Sequence, residues 1–182
     1  MGWWDCESGK FVGMGFYATQ GVIPGSIFMG YIQDLRKHIG SRPILLVGAA
    51  VLVIDEQGRL LMNLRPDNHQ WGIPGGATEL GESVEETAIR ETREETGLEL
   101  GELNMFGVFS GPQFFYRYPN GDEVHNVSVV FICRKYRGRL AENNEESLRL
   151  CFFAKNEIRL EQISPPVRPV IQKWLEEKGR AE

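Results

Sequence analysis

The stretch that most constrains this chain runs from Gly76 to Leu98, GATELGESVEETAIRETREETGL. It holds seven acidic residues, Glu79, Glu82, Glu85, Glu86, Glu91, Glu94 and Glu95, against Arg90 and Arg93. Its net charge of −5 equals that of the whole chain, so the remaining residues balance at zero. A solvated acidic helix is the plain reading, but the phase argues against it. Ser83 to Thr96 is rich in good helix formers and runs into Gly97, a residue suited to a left-handed C-terminal cap. At about 100° per residue, Glu91 and Glu95 point the same way as Val84 and Ala88. Glu94 lies beside them, near Thr87. Three carboxylates thus share the apolar stripe of the helix. Like charges three and four apart repel, and carboxylates turned toward a core are costly unless neutralised. A divalent cation would neutralise them, and oxygen-only ligands suit Mg²⁺ or Mn²⁺.

With 182 residues and 42% hydrophobic content, the chain has room for one real core. No basic stripe suggests a nucleic-acid partner. No apolar run approaches the roughly 20 residues of a membrane span, and the N-terminus lacks the pattern of a signal peptide. Cys6, Cys133 and Cys151 are odd in number and share no ligand spacing. The last two sit in apolar runs and read as buried thiols, which fits a reducing cytoplasm.

Residues 1–28 stand apart, with six glycines and scattered aromatics. They read as a flexible or accessory extension, or as sequence upstream of a natural start at Met29; residues 29–182 form the domain. Tyr31, Ile32, Leu35 and Ile39 recur at helical spacing up to Gly40. Ile44 to Ile54 and Arg59 to Leu64 read as strands around a turn. Trp71 to Gly76 is a short irregular strand, and Leu98 to Ser110 another. Phe114 to Tyr118 and Glu123 to Tyr136 flank Asn120-Gly121, a strong hairpin signal. Leu148 to Ala154 reads as a strand, Asn156 to Gln162 as a short helix, and Val167 to Lys178 as the last helix. The pattern is α/β in the α+β sense.

The acidic stretch resembles the Nudix box, G-x5-E-x7-R-E-U-x-E-E-x-G-U, in Gly76, Glu82, Arg90-Glu91, Glu94-Glu95, Gly97 and Leu98. Thr92 is the one departure, where the family carries an aliphatic residue. Trp71 and Pro74-Gly75-Gly76 look like the usual lead-in. The resemblance covers about residues 29–178. It implies the Nudix fold, a mixed β-sheet sandwiched between α-helices. It also implies Mg²⁺-dependent hydrolysis (Mn²⁺ as substitute) of a nucleoside diphosphate linked to another moiety. In the matching positions the resemblance implies Glu91, Glu94 and Glu95 as metal ligands, Arg90 holding a neighbouring glutamate, Gly76 supporting the loop, and Glu82 supporting the loop or an outer metal contact. Catalysis then falls to Glu91, Glu95 and Arg90, with Glu91 or Glu95 as base. Glu146 is a further candidate, since some members use a glutamate on a later loop. The plain alternative for Glu142, Glu145 and Glu146 is a solvated acidic loop.

Substrate contacts are drawn more weakly. Arg65 follows a strand and faces the loop before the box, so it could meet phosphate or simply lie at the surface. The aromatics around Tyr116 could stack on a nucleobase or only pack a hairpin. In the family, a proline after the box tracks ADP-ribose pyrophosphatases and a later tyrosine tracks dinucleoside polyphosphate hydrolases. This chain has both Pro112 and Tyr116. The expected substrate is a nucleoside triphosphate or an ADP-ribose-like compound. A dinucleoside polyphosphate hydrolase and a catalytically silent nucleotide sensor are the alternatives. A homodimer is an expectation carried by the family alone.

Overall fold

A computed structural model describes residues 2–5, 10–13, 30–141 and 146–177. The extension assigned to residues 1–28 lies outside these, apart from an antiparallel backbone pairing of β1 (Gly2–Asp5) with β2 (Lys10–Gly13). Glu142 and Glu145 also lie outside them.

The core of the fold is a long mixed sheet. Strand β3 (Ile44–Val53) is paired in parallel with β10 (Glu123–Cys133) from Ile44↔Val124 to Val53↔Cys133. On the other side of β10 runs β8 (Leu103–Phe109), antiparallel, with β9 (Phe115–Arg117) farther along the same strand. The outer edge of β3 carries β6 (Gly75–Ala77). A second sheet has the order β12 (Arg149–Phe153), β4 (Leu60–Leu64) and β5 (Trp71–Gly72). The hairpin at Asn120-Gly121 forms as expected, with Tyr118 N–H bonded to Asp122 O at 2.8 Å.

Alternation along β3 divides the core. Ala49, Val51 and Val53 join Ala88, Leu98 and Phe131 beneath α2 (Val84–Thr96), while Leu52 and Ile54 join Trp71, Phe153, Ile171 and Trp174 beneath α3 (Arg168–Glu176). A period of two in a strand buried on both faces gives this division. The result is the α+β sandwich expected, with helices on both sides of the sheets. A third helix, α1 (Tyr31–Ile39), has no buried residue.

Three local expectations change. Leu98 to Ser110 is not one strand: β7 (Glu99–Leu100) pairs with β11 (Tyr136–Arg137), and the chain breaks at Gly101 before β8. Gly101 N–H bonds to Lys135 O at 2.7 Å, and a Cβ there would stand 2.6 Å from that oxygen. Asn156 to Gln162 is not a helix but turns ending in a 3₁₀ turn at Leu160–Gln162. Seven residues are too few to offset helix nucleation, and Glu157 is committed to capping the Ala154 N–H at 2.7 Å. Cys133 is a free buried thiol, but Cys151 is disulfide-bonded, which corrects its reading as a thiol. No described helix is long and apolar enough to cross a membrane.

Candidate metal centre and active site

Helix α2 is fixed at both ends by its own sequence. Ser83 is the N-cap of a full capping box with Glu86, and Gly97 closes the helix at φ 76°. This fixes the phase of the helix. Thr87, Ala88, Thr92 and Glu95 turn inward, and Glu91 is half-buried beside them. Gly76 leaves room for the Glu91 carboxylate, which a Cβ at that position would displace.

Glu91, Glu95 and Glu146 each bring a carboxylate oxygen to within 4.8 Å of the others. Glu146 arrives from the segment before β12, so the group joins two distant parts of the chain. Glu94 stands outside it. Its side chain is 50% exposed, and Arg90 Nη1 donates to it at 3.1 Å. Phase alone places Glu94 near the inward stripe, but the observed helix turns it to the border.

Arg90 organises the acidic loop. Its Nε and Nη2 donate to the two oxygens of Glu82 at 2.6 and 3.0 Å. Nη2 also donates to Ala77 O at 3.1 Å, and Nη1 to Glu91 Oε1 at 2.7 Å. Glu82 in turn accepts the Glu79 N–H and the Thr87 hydroxyl, each at 3.0 Å. A planar guanidinium suits this fork better than an ammonium would. The Arg90 contact holds the Glu82 carboxyl down at about 2, and Glu82 raises the pKa of Arg90.

Glu95 is in the opposite situation. It is 7% exposed, and burial pushes its carboxyl up to about 8, assisted by the nearby Glu91 and Glu146 charges and opposed by the Gly75 N–H. Burial also raises Glu91, against the pull of Arg90. Two groups missing from the sequence reading hold Glu95 in place. Gly75 N–H donates to Oε2 at 3.0 Å, and Asn63 Nδ2 donates to it at 3.2 Å. Asn63 is 1% exposed, also reaches Ser147 Oγ at 3.5 Å, and its Oδ1 has no partner. One signal was available: Asn63 is a lone amide within an apolar strand.

A divalent cation fits these residues. Three carboxylates converge with an all-oxygen donor set, and burial raises Glu91 and Glu95 even with Arg90 and Arg65 nearby. Hard cations such as Mg²⁺ and Mn²⁺ match that set.

The group lies in a cleft of about 660 Å³ that Arg65 and Tyr118 also line. Arg65 is bound to Asp67 by two hydrogen bonds, at 3.0 and 2.8 Å. Tyr116 is not among the lining residues. Its hydroxyl accepts from Asn68 at 3.3 Å, and its ring meets Tyr118 edge-on with centroids 4.9 Å apart. Trp71 is core, 4% exposed and edge-on to Phe153.

The NUDIX domain family model matches residues 45–174. The chain belongs to the NUDIX family. It is 36% identical over 117 residues to an ADP-ribose pyrophosphatase from Methanocaldococcus jannaschii, covering 62% of this chain and 64% of that protein. It is 42% identical over 67 residues to a putative 8-oxo-dGTP diphosphatase from Bacillus subtilis, covering 37% of this chain and 45% of that one. The matched stretches therefore span less than two thirds of either NUDIX relative. Among solved structures it resembles a mutator MutT protein from Bacillus halodurans, with TM-score 0.60 and 25% identity over 73% of this chain and 84% of that one.

Proposed function

We propose that this NUDIX chain is a divalent-metal-dependent hydrolase. It would cleave a diphosphate bond in a nucleoside triphosphate or an ADP-ribose-like compound, with water attacking phosphorus. The observation that carries the reading is the convergence of Glu91, Glu95 and Glu146 within 4.8 Å at the cleft.

Glu91, Glu95 and Glu146 would hold the cation, with Glu94 joining them if it leaves Arg90. Bound there, Mg²⁺ would neutralise phosphate charge, acidify water and stabilise the leaving phosphate. The chain's own residues do the rest. Arg90 fixes the Glu91 carboxylate, while Gly75 N–H and Asn63 fix that of Glu95. The new bond joins water oxygen to phosphorus as the bond to the leaving phosphate breaks. The water proton passes to a carboxylate oxygen of Glu91, Glu95 or Glu146. Arg65, held by Asp67, faces the cleft where an anionic substrate would lie.

Two relatives with differently named substrates support the diphosphate chemistry without choosing one compound. The test is a substrate panel with Mg²⁺ and product analysis. ADP-ribose giving AMP and ribose 5-phosphate, or a triphosphate giving a monophosphate and pyrophosphate, supports the reading and chooses the branch. No turnover of either class with Mg²⁺ or Mn²⁺ overturns it.

A further inference from the structure

Helix α1 precedes the matched domain, which begins at residue 45, yet it walls the same cleft as the carboxylates. Ile32, Gln33 and Arg36 line that cleft, within about one turn on a single face. The helix is not there to build the core, since none of its residues is buried. Polar bonds hold it at both ends instead. At its start, Tyr31 N–H donates to Glu79 Oε2 at 2.8 Å, and Gly30 is packed so closely that a Cβ would collide with the Glu79 carboxylate. Glu79 is tied through its own N–H to Glu82, the partner of Arg90. At the other end, Arg36 donates to Gly40 O, Arg42 O and Glu123 O at 3.0, 2.6 and 2.8 Å. Its Nε lies 3.7 Å from Asp122 Oδ2, an ion-pair distance, and has no hydrogen-bond partner.

The chemistry of this part of the cleft is neutral and amide-rich. Asn120, Asn126 and Ser128 line it with Gln33, and Asp122 adds one carboxylate. Asn126 spends an amide N–H on Phe114 O at 3.1 Å, which fixes the amide and keeps its oxygen as an acceptor. Ile32, Leu46 and Val124 supply apolar surface. Both guanidiniums that reach the cleft are committed, Arg36 to three carbonyls and Arg65 to Asp67. Asp122 and Asp67 lie beside these two guanidiniums and offset their charge, so a second phosphate group gains little here. A planar heterocycle with donors and acceptors on its edge would find amides, a hydroxyl and apolar walls.

We infer that α1 and the floor opposite it form a nucleobase-reading wall, in which Gln33 contacts the base edge and Arg36 positions the Asp122 hairpin. The inference rests on the proposed nucleotide reading for its ligand class, and a binding measurement separates the two. Nucleoside monophosphates of the four common bases, and ribose 5-phosphate as the base-free control, are titrated calorimetrically into the full chain with Mg²⁺. The expected result is that at least one nucleotide binds about ten-fold or more tightly than ribose 5-phosphate. Gln33→Ala then weakens that nucleotide about five-fold, as for one lost hydrogen bond, narrows the spread between bases, and leaves ribose 5-phosphate unchanged. Gln33 is exposed, so the variant is expected to fold, and its circular dichroism checks this. A Gln33→Glu variant, which swaps donors for acceptors, is expected to reorder the bases. Equal binding of nucleotides and ribose 5-phosphate, or unchanged affinity and base order in both variants, overturns the inference. Base-dependent binding without turnover of any substrate leaves it standing and removes the hydrolytic reading instead.

Discussion

Gly75 donates its backbone N–H to Glu95 Oε2 at 3.0 Å, tying the strand before the acidic loop to the most buried carboxylate of α2. Gly75 sits at φ 152°, and a Cβ there would collide with Ala49 O and Ala50, so only glycine brings the N–H this close. The bond partly offsets the burial that raises Glu95.

That raised carboxyl sets a pH dependence of stability. Folded Glu95 keeps its proton up to about 8, whereas an unfolded glutamate releases it near 4.5. Between those values the folded metal-free chain binds more protons than the unfolded one, so its stability falls as pH rises. Glu82 acts at the acid end: held at about 2, it contributes stability above 4.5 that is lost as pH falls toward 2. Urea midpoints of EDTA-treated protein should therefore decline from about pH 5 to about pH 8, and Glu95→Gln should remove most of the decline. A flat wild-type profile would count against the burial argument.

Arg90 is predicted not to tolerate lysine. An ammonium at this position would keep the charge but lose the fork that spans Glu82, Ala77 O and Glu91. Two or more charge-assisted bonds go, each worth roughly 1.5–3 kcal/mol. Because the guanidinium is partly exposed, solvent screening discounts their sum. Chemical denaturation of Arg90→Lys should show a loss of about 2–4 kcal/mol, and turnover should fall about ten- to hundred-fold as Glu91 loses its anchor. A lysine variant with wild-type stability and rate would show that the fork is incidental.

Thr92 carries an unneeded cost. It is fully buried under α2, and its Oγ1 has no hydrogen-bond partner. Valine has the same shape without the hydroxyl, so Thr92→Val should stabilise the fold by about 1 kcal/mol, read as a higher melting temperature. A lower melting temperature would mean that the hydroxyl is satisfied in solution.

Much of the site is legible in the sequence because it is local. Ser83, Glu86 and Gly97 define α2 within the helix itself, and their spacing places Glu91 and Glu95 inward. Contacts distant in sequence are not legible. Asn63 reaches Glu95 from 32 residues away and Ser147 from 84. Nothing in the α1 pattern announces a cleft wall, because its placement depends on Glu79 and Glu123, far along the chain. The helical wheel sets Glu94 near the inward stripe, whereas its side chain is half exposed and meets Arg90. The strand after Gly97 is shorter than its apolar pattern suggests because Gly101 and Lys135 meet only once β7 and β11 pair.

The most direct test of the account is Mn²⁺ binding, measured calorimetrically at neutral pH for wild type and for Glu91→Gln, Glu95→Gln and Glu146→Gln. If the three carboxylates share one cation, each variant should bind Mn²⁺ about ten-fold or more weakly. Binding indistinguishable from wild type in all three would contradict it.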